Sequence, residues 1–309
     1  MRNRAHRHAD NSYLVPFRVV SKEPTSLSVV IPTRDGSQLG RHLDSLAAQV
    51  DAVGGEIVVV DGRGVTNPEN GVVRWIGCPD DDLYRLRATA IGAATGAVVA
   101  IGEDHVVPRP DWPMAVLRAH AEHPHAPAIS GCLANGSTHT CAGRANFLAF
   151  AASFSIEMAD TRAPRPPPSS TLSFKRDALT DVKDRPGELE GVLIPELFER
   201  GALVRDKRVV VDHHQDHGIV WSIRNAFWSA RSSYGATSRH QTPQQRRRVA
   251  RWALIHVAPG LCREAKAAAR PLNARFRDLV GVAAIATAAA LGAAIGALFG
   301  PGRAPNRVA

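Results

Sequence analysis

Cysteine is scarce in this 309-residue chain: Cys78, Cys132, Cys141 and Cys262 stand at scattered spacings, with no CxxC pair. That argues against a zinc knuckle and against a disulfide framework, and leaves ordinary thiols in a reducing compartment as the expectation. The opening MRNRAHRHADNSYLVPF lacks the apolar stretch of a secretory signal, so none is expected there. Acidic residues nearly vanish towards the end: from Asp216 onward 3 Asp+Glu face 14 Lys+Arg, a balance of +11 within a net charge of +9. What is present is globular in character. An apolar share of 44% against 22% charged removes disorder as the default, and the length allows one large domain or two modest ones.

Three partners could explain a basic final third: nucleic acid, anionic lipid, or water alone. The segment 279–300, LVGVAAIATAAALGAAIGALFG, favours lipid, because it carries no charge over about the length that crosses a bilayer as a helix. Its Ala and Gly suit close helix packing as well, so a buried or surface-lying helix is the plainer reading. Upstream, WSIRNAFWSARSSYGATSR mixes Trp221, Phe227, Trp228 and Tyr234 with arginines, a composition at home at a membrane interface or against the rest of the protein. Arg246, Arg247 and Arg248 are expected to face headgroups or water.

Residues 1–24 read as a polar tail. Then LSVVIPT (27–33), EIVVVDG (56–62), VVRWI (72–76) and AVVAIGED (97–104) read as strands, with helices over 38–50 and 83–95 between them. That alternation predicts an α/β domain with a mostly parallel sheet flanked by helices. Further on, 143–158 reads as a helix, RAPRPPPSS as a loop, 171–179 as a short strand and turn, 188–200 as a helix ended by Gly201, and 204–214 as a strand.

Thr33, Asp35, Asp61 and Asp104 fall at the carboxyl ends of these strands, where open α/β sheets collect ligands. Crowded acids there point to a divalent cation holding a diphosphate. Mg²⁺ or Mn²⁺ takes oxygen ligands, and Mn²⁺ also tolerates imidazole. Such a cation would also stabilise charge on a leaving diphosphate. Plainer readings stand beside this one. Asp61 before Gly62 can be a turn former, and Glu188 and Glu190 can favour a helix start through its dipole. Asp80, Asp81 and Asp82 read as helix-start acids, and HHQDH (213–217) as a solvated turn rather than a second metal site.

VVIPTRDG, EIVVVDG, LRATAIGAATG and GEDHVVPRPDW, followed by STLSFKRDAL, GELEGVLIPELFERG and VDHH, occur in the order and spacing of family 2 glycosyltransferases. The chain resembles that family over roughly residues 26–217. The resemblance implies the GT-A fold and a nucleotide-diphosphate-sugar donor bound at the first half of the sheet. By matching position it puts Thr33 and Asp35 beside the nucleoside, Asp61 on the base or ribose, and Arg87 on the donor. Gly102 stands where the family often has the first acid of its metal motif. Asp104 is thus the leading metal ligand, with Glu103 and His105 sharing the role and His213 or His214 reaching in from the later strand. The family's catalytic base corresponds to Glu190, with Glu188 in reserve and Leu189 replacing the usual first acid of the pair.

The expectation is therefore a metal-dependent, inverting glycosyltransferase acting by single displacement on a lipid, lipid-linked glycan or polysaccharide acceptor. Its expected parts are a GT-A catalytic domain over 25–217, a basic and aromatic helical extension over 218–278, a transmembrane or membrane-associated helix over 279–300, and a tail over 301–309. Arg270, Arg275 and Arg277 precede the apolar segment and Arg303 and Arg307 follow it, which puts the enzyme on the cytoplasmic face. No nucleic-acid partner is expected. The departures at Gly102 and Leu189 keep open the alternative of a catalytically inactive nucleotide-sugar-binding or scaffold protein of the same fold. A nucleotidyltransferase would want a lysine in the first loop, and PTRDGSQLG has none.

Overall fold

The structure is a computed structural model that describes residues 26–34, 36, 39–66, 71–80, 82–182, 185–215, 217–304 and 307. The expected tail over 1–24 and Asp35 lie outside the described residues.

Apolar, β-branched runs become strands β1 (Leu27–Thr33), β2 (Glu56–Asp61), β3 (Val73–Gly77) and β4 (Val98–Ile101). Helices α1 (Leu39–Asp51) and α2 (Leu83–Ala93) connect them. In β1 and β2 the odd residues Val29, Ile31, Ile57 and Val59 enter one core, and the even residues Val30, Val58 and Val60 enter the other. This is the two-residue period of a strand buried on both faces.

The segment between 106 and 135 supplies β5 (Val106–Pro108), α3 (Trp112–Glu122) and β6 (Ala128–Asn135), none of which its pattern had announced. After them come α4 (Cys141–Phe150), β7 (Leu172–Lys175), α5 (Ile194–Glu199) and β8 (Leu203–His213). The eight strands form one mixed sheet in the order β3-β2-β1-β4-β7-β6-β8-β5. Pairings are parallel from β3 to β4 and between β6 and β8, and antiparallel where β7 and β5 join. Pro32 is tolerated in a central strand for a local reason. The Gly102 N–H closes the β4 ladder onto the Val30 carbonyl at 2.8 Å, so the donor Pro32 lacks falls two residues beyond, where β4 has already left.

The expected helix over 143–158 ends as an α-helix at Phe150 and continues as two 3₁₀ turns, Ala152–Phe154 and Ile156–Met158. Between the turns Ser155 leaves the helical path to bridge Leu133 of β6. The helix expected over 188–200 opens with a π turn, Leu189–Leu193, before α5. Pro195 lacks the N–H that would reach back to residue 191, and widening the turn accommodates that loss. Gly201, at φ 66°, ends this segment in the left-handed conformation that glycine adopts without strain.

The last third folds into α6 (Ile219–Thr237), α7 (Pro243–Ala269) and α8 (Phe276–Phe299), which pack with α4. Ala250 and Ala253 early in α7 meet Ala293, Ala294 and Ala297 late in α8, so these two helices run antiparallel. Gly292 and Gly296 let α8 approach α6 closely: a Cβ there would lie 2.1 Å from the Phe227 carbonyl oxygen and 2.4 Å from that of Arg231. Asp278, fully buried at the head of α8, accepts two 3.0 Å bonds from the Arg144 guanidinium of α4. α8 is long and apolar enough to cross a membrane, and 61% of its most apolar window is enclosed by the rest of the protein.

Candidate functional site

The carboxyl ends of β1, β2 and β4 lie side by side, with Thr33 and Asp61 directly paired in register. Thr33 Oγ1 donates to Asp104 Oδ2 at 2.8 Å and accepts from the Gly36 N–H at 3.0 Å. One hydroxyl thus ties the first loop to the acids after β4. Asp61 is completely buried, and its carboxylate accepts from Arg63 through the backbone N–H (2.8 Å), Nε (3.0 Å) and a terminal nitrogen (2.5 Å). Burial pushes its pKa up, but the hydrogen bonds and charge of Arg63 outweigh that and hold it below the usual range. Gly36, at φ 67°, leaves room for this arginine, since a Cβ would stand 2.7 Å from the guanidinium.

Beyond β4 the chain turns through Glu103, Asp104 and His105. His105 Nδ1 lies 3.2 Å from Asp104 Oδ1, and its Nε2 lies 3.4 Å from Glu103 Oε2. β8 delivers His213, whose ring meets that of His105 edge to face with centroids 5.0 Å apart. Glu103, His105 and His213 each offer a ligand atom, all within 4.8 Å of one another. Burial lowers the His105 pKa, yet Asp104 and Glu103 outweigh it and the net shift is upward. Burial, reinforced by the charges of His105 and His214, takes His213 well below the ordinary imidazole value, so it presents a neutral nitrogen. A carboxylate and two imidazoles at this spacing form a donor set that suits a divalent cation.

His214 lies apart from that group of three. Its backbone N–H bonds the His105 carbonyl at 3.0 Å, while its ring lies over Gly136, where a Cβ would be 2.5 Å from Cε1. Gly102 is explained by space: a Cβ there would fall 2.9 Å from Ile31 Cγ1, which leaves an acid no clearance at that position. Glu103, one residue later, is free of that clash.

Arg87, buried on α2, joins the two halves of the site. It pairs with Glu190 of the π turn and, at 3.3 Å, with Glu103. Burial disfavours its charge, but Glu190 and Glu103 more than compensate and keep it cationic. Glu188 instead is half-buried, 3.5 Å from Arg185, and Leu189 points into the core. Two participants escaped the sequence reading. Arg63 sits two residues after Asp61, and Tyr84 sits three residues before Arg87 on one face of α2. The buried Tyr84 hydroxyl accepts from Ser232 Oγ of α6 at 3.3 Å, and burial together with the Glu190 charge raises its pKa. Asp82 caps α2 by accepting from the Tyr84 N–H at 2.9 Å, the helix-start role expected of it. Asp81 lies outside the described residues.

An α/β sheet with an acid and imidazole cluster at its open end is therefore what fold and site define. No family model matches the chain, and no curated protein matches it. Among solved structures it is similar to a mannosyltransferase from Pyrobaculum calidifontis in complex with GDP-Man and Mn²⁺, at 16% identity over 82% of this chain and 76% of that one, with a TM-score of 0.48. It is also similar to glucosyl-3-phosphoglycerate synthase from Mycobacterium tuberculosis in complex with Mn²⁺ and UDP-glucose, at 16% identity over 62% of this chain and 72% of that one, with a TM-score of 0.42. Likenesses this loose carry no functional argument, which must come from the side chains.

Proposed function

We propose that this chain is a metal-dependent glycosyltransferase that moves a sugar from a nucleotide-diphosphate-sugar donor to a glycan or lipid acceptor. One observation carries the reading: Glu103, Asp104, His105 and His213 converge where the sheet opens, and Arg87 links that cluster to Glu190. Glu103, His105 and His213 would hold the cation, with Asp104 fixed beside them by Thr33. When bound, the cation supplies charge neutralisation for the donor diphosphate. Thr33, Asp35 and Asp61 are assigned to the nucleoside side, with Arg63 the group already on Asp61. Glu190 is the base that takes the acceptor hydroxyl proton, and Arg87 orients its carboxylate. A single displacement would invert the anomeric centre. The two departures that favoured an inactive relative have packing explanations at Gly102 and Leu189, and Glu103 follows the first while Glu188 and Glu190 flank the second.

We read residues 25–217 as the catalytic domain and 218–300 as a membrane-associated extension at the cytoplasmic face. Phe276, Val280, Leu291 and Leu298 form an exposed apolar stripe on α8, and Trp252, Leu254 and Ile255 are exposed on α7 below Arg246, Arg247, Arg248 and Arg251. That pairing of apolar surface with arginines suits an anionic bilayer.

The test is a thermal-shift panel of nucleotide sugars with and without Mn²⁺. Stabilisation by one donor only when metal is present supports the assignment. If no donor stabilises the chain under either condition, the assignment fails.

A further inference from the structure

Trp221, Asn225, Trp228 and Ser232 recur at i, i+4, i+7 and i+11, so they share one stripe of α6. At one end of the stripe Trp221 stacks on His217, three residues after His214, with centroids 3.8 Å apart. At the other end Ser232 meets Tyr84, which lies in the field of Glu190. The stripe therefore reaches the candidate site through Ser232 and Tyr84, on the side of its base. Along it lies a cavity of about 270 Å³ lined by Trp221, Arg224, Asn225, Trp228 and Arg307. Its size is below the range of about 300–1,000 Å³ typical for drug-sized ligands, so it matches a single ring rather than an extended chain.

The chemistry of the lining is one-sided. Among the described residues no carboxylate lines the cavity, and Arg307 lies over the Trp228 ring at 4.7 Å, with Arg231 at 5.6 Å. Stacking on an indole face fixes a guanidinium plane and leaves its N–H edge to bind oxygen anions. One face of Trp221 is taken by His217 and one of Trp228 by Arg307, so a sugar ring would pack its C–H face on the opposite face of either indole. We propose that this cavity is the acceptor subsite and that it takes a sugar ring bearing a phosphate. This rests on the glycosyl-transfer reading, which it deepens by naming the class of acceptor.

The experiment titrates the full chain with glucose 1-phosphate, with uncharged methyl glucoside and with inorganic phosphate, followed by tryptophan fluorescence. Separate arms use vesicles of phosphatidylcholine with and without phosphatidic acid. The expected result is a saturable change with glucose 1-phosphate, competed by inorganic phosphate, and none with methyl glucoside. Affinity should fall about 10-fold in Arg224→Gln, the loss of one charge-assisted contact. It should be unchanged in Arg200→Gln, which alters an exposed arginine paired with Glu196. Equal affinity in wild type and Arg224→Gln overturns the proposal, as does a response to phosphatidic acid vesicles with none to the soluble sugar phosphate. Donor binding in the presence of Mn²⁺ is measured in parallel by thermal shift. Donor binding without phosphosugar binding sinks the subsite alone. Phosphosugar binding without any donor binding sinks the acceptor assignment together with the transferase reading.

Discussion

Arg87 and Glu190 form an ion pair across the floor of the site, between a buried guanidinium on α2 and a carboxylate in the π turn. The same guanidinium reaches Glu103, so one cation restrains the proposed base and a proposed metal ligand together. Glu190→Gln keeps the shape and removes the proton acceptor. Sugar transfer should fall by roughly 10²–10⁴-fold while the donor-dependent thermal shift persists. Initial rates and melting curves on the same preparation check this, and an unchanged rate would remove Glu190 from the mechanism. Arg87→Met leaves two carboxylates facing each other without a cation, and the melting temperature should drop. Adding Glu190→Gln to that variant should recover part of the loss, because the uncompensated charge is then smaller.

The cation-binding group makes a sharper demand on individual residues. Glu103→Gln and His213→Asn should each weaken Mn²⁺ binding by at least about 10-fold, since each removes one member of the converging set. His214→Ala should leave it near the wild-type value, because that ring packs over Gly136 instead. Calorimetric titration with MnCl₂ alone measures all three. Equal losses in the His213 and His214 variants would mean that both rings reach the cation and that His214 does not stay packed over Gly136.

How much of this was legible beforehand differs by region. The first half of the sheet was visible because Val29 to Ile31 and Ile57 to Val60 are short, continuous β-branched runs, a pattern that favours a strand buried on both faces. β6 was not visible: its sequence, AISGCLAN, is small and mixed, and it is made a strand by partners brought from β7 and β8. In the site, Asp104 could be singled out because it follows an apolar strand, whereas His213 was suggested by the family resemblance, with His214 as the equal alternative. Arg63 could not, since nothing local says that an arginine in a turn will fold back onto the acid two residues before it. Tyr84 was hidden for another reason. Its partner Ser232 lies 148 residues away, and only the packing of α6 joins them.

The close crossing of α6 and α8 gives a matched pair of substitutions. Gly292→Ala puts a methyl 2.1 Å from a backbone oxygen of Phe227, so two helices must separate. Overpacking of this kind costs about 1–3 kcal/mol. Gly260→Ala in α7 meets nothing within 4 Å, and the gain in helix propensity should stabilise by about 1 kcal/mol. Urea unfolding of both variants checks the opposite signs. If Gly292→Ala is neutral, α8 does not pack on α6 in solution, and a helix freed to cross a bilayer becomes the better description of 276–299.

His120 provides a pH dependence whose sign follows from its surroundings. The imidazole is buried on α3, with Nε2 at 2.9 Å from Ser173 Oγ and Lys175 nearby. Burial first, then the Lys175 charge, lowers its pKa from 6.5 to about 4. The unfolded chain therefore binds the extra proton more readily. The contribution is full above pH 6.5 and is lost as the pH falls towards 4, by on the order of 3 kcal/mol. Glu56, lowered to about 2 by Ser28, Thr95 and Arg74 against the opposing effect of burial, loses its contribution only below about 4.5, so the two windows barely overlap. The measurement is the urea midpoint of wild type and His120→Gln at intervals from pH 7.5 to 4. The difference between the two curves should shrink steadily below pH 6.5, because only the wild type carries the buried imidazole. Parallel curves across that window would mean that His120 titrates alike in the folded and unfolded chain, and that the core beneath β7 is open to water.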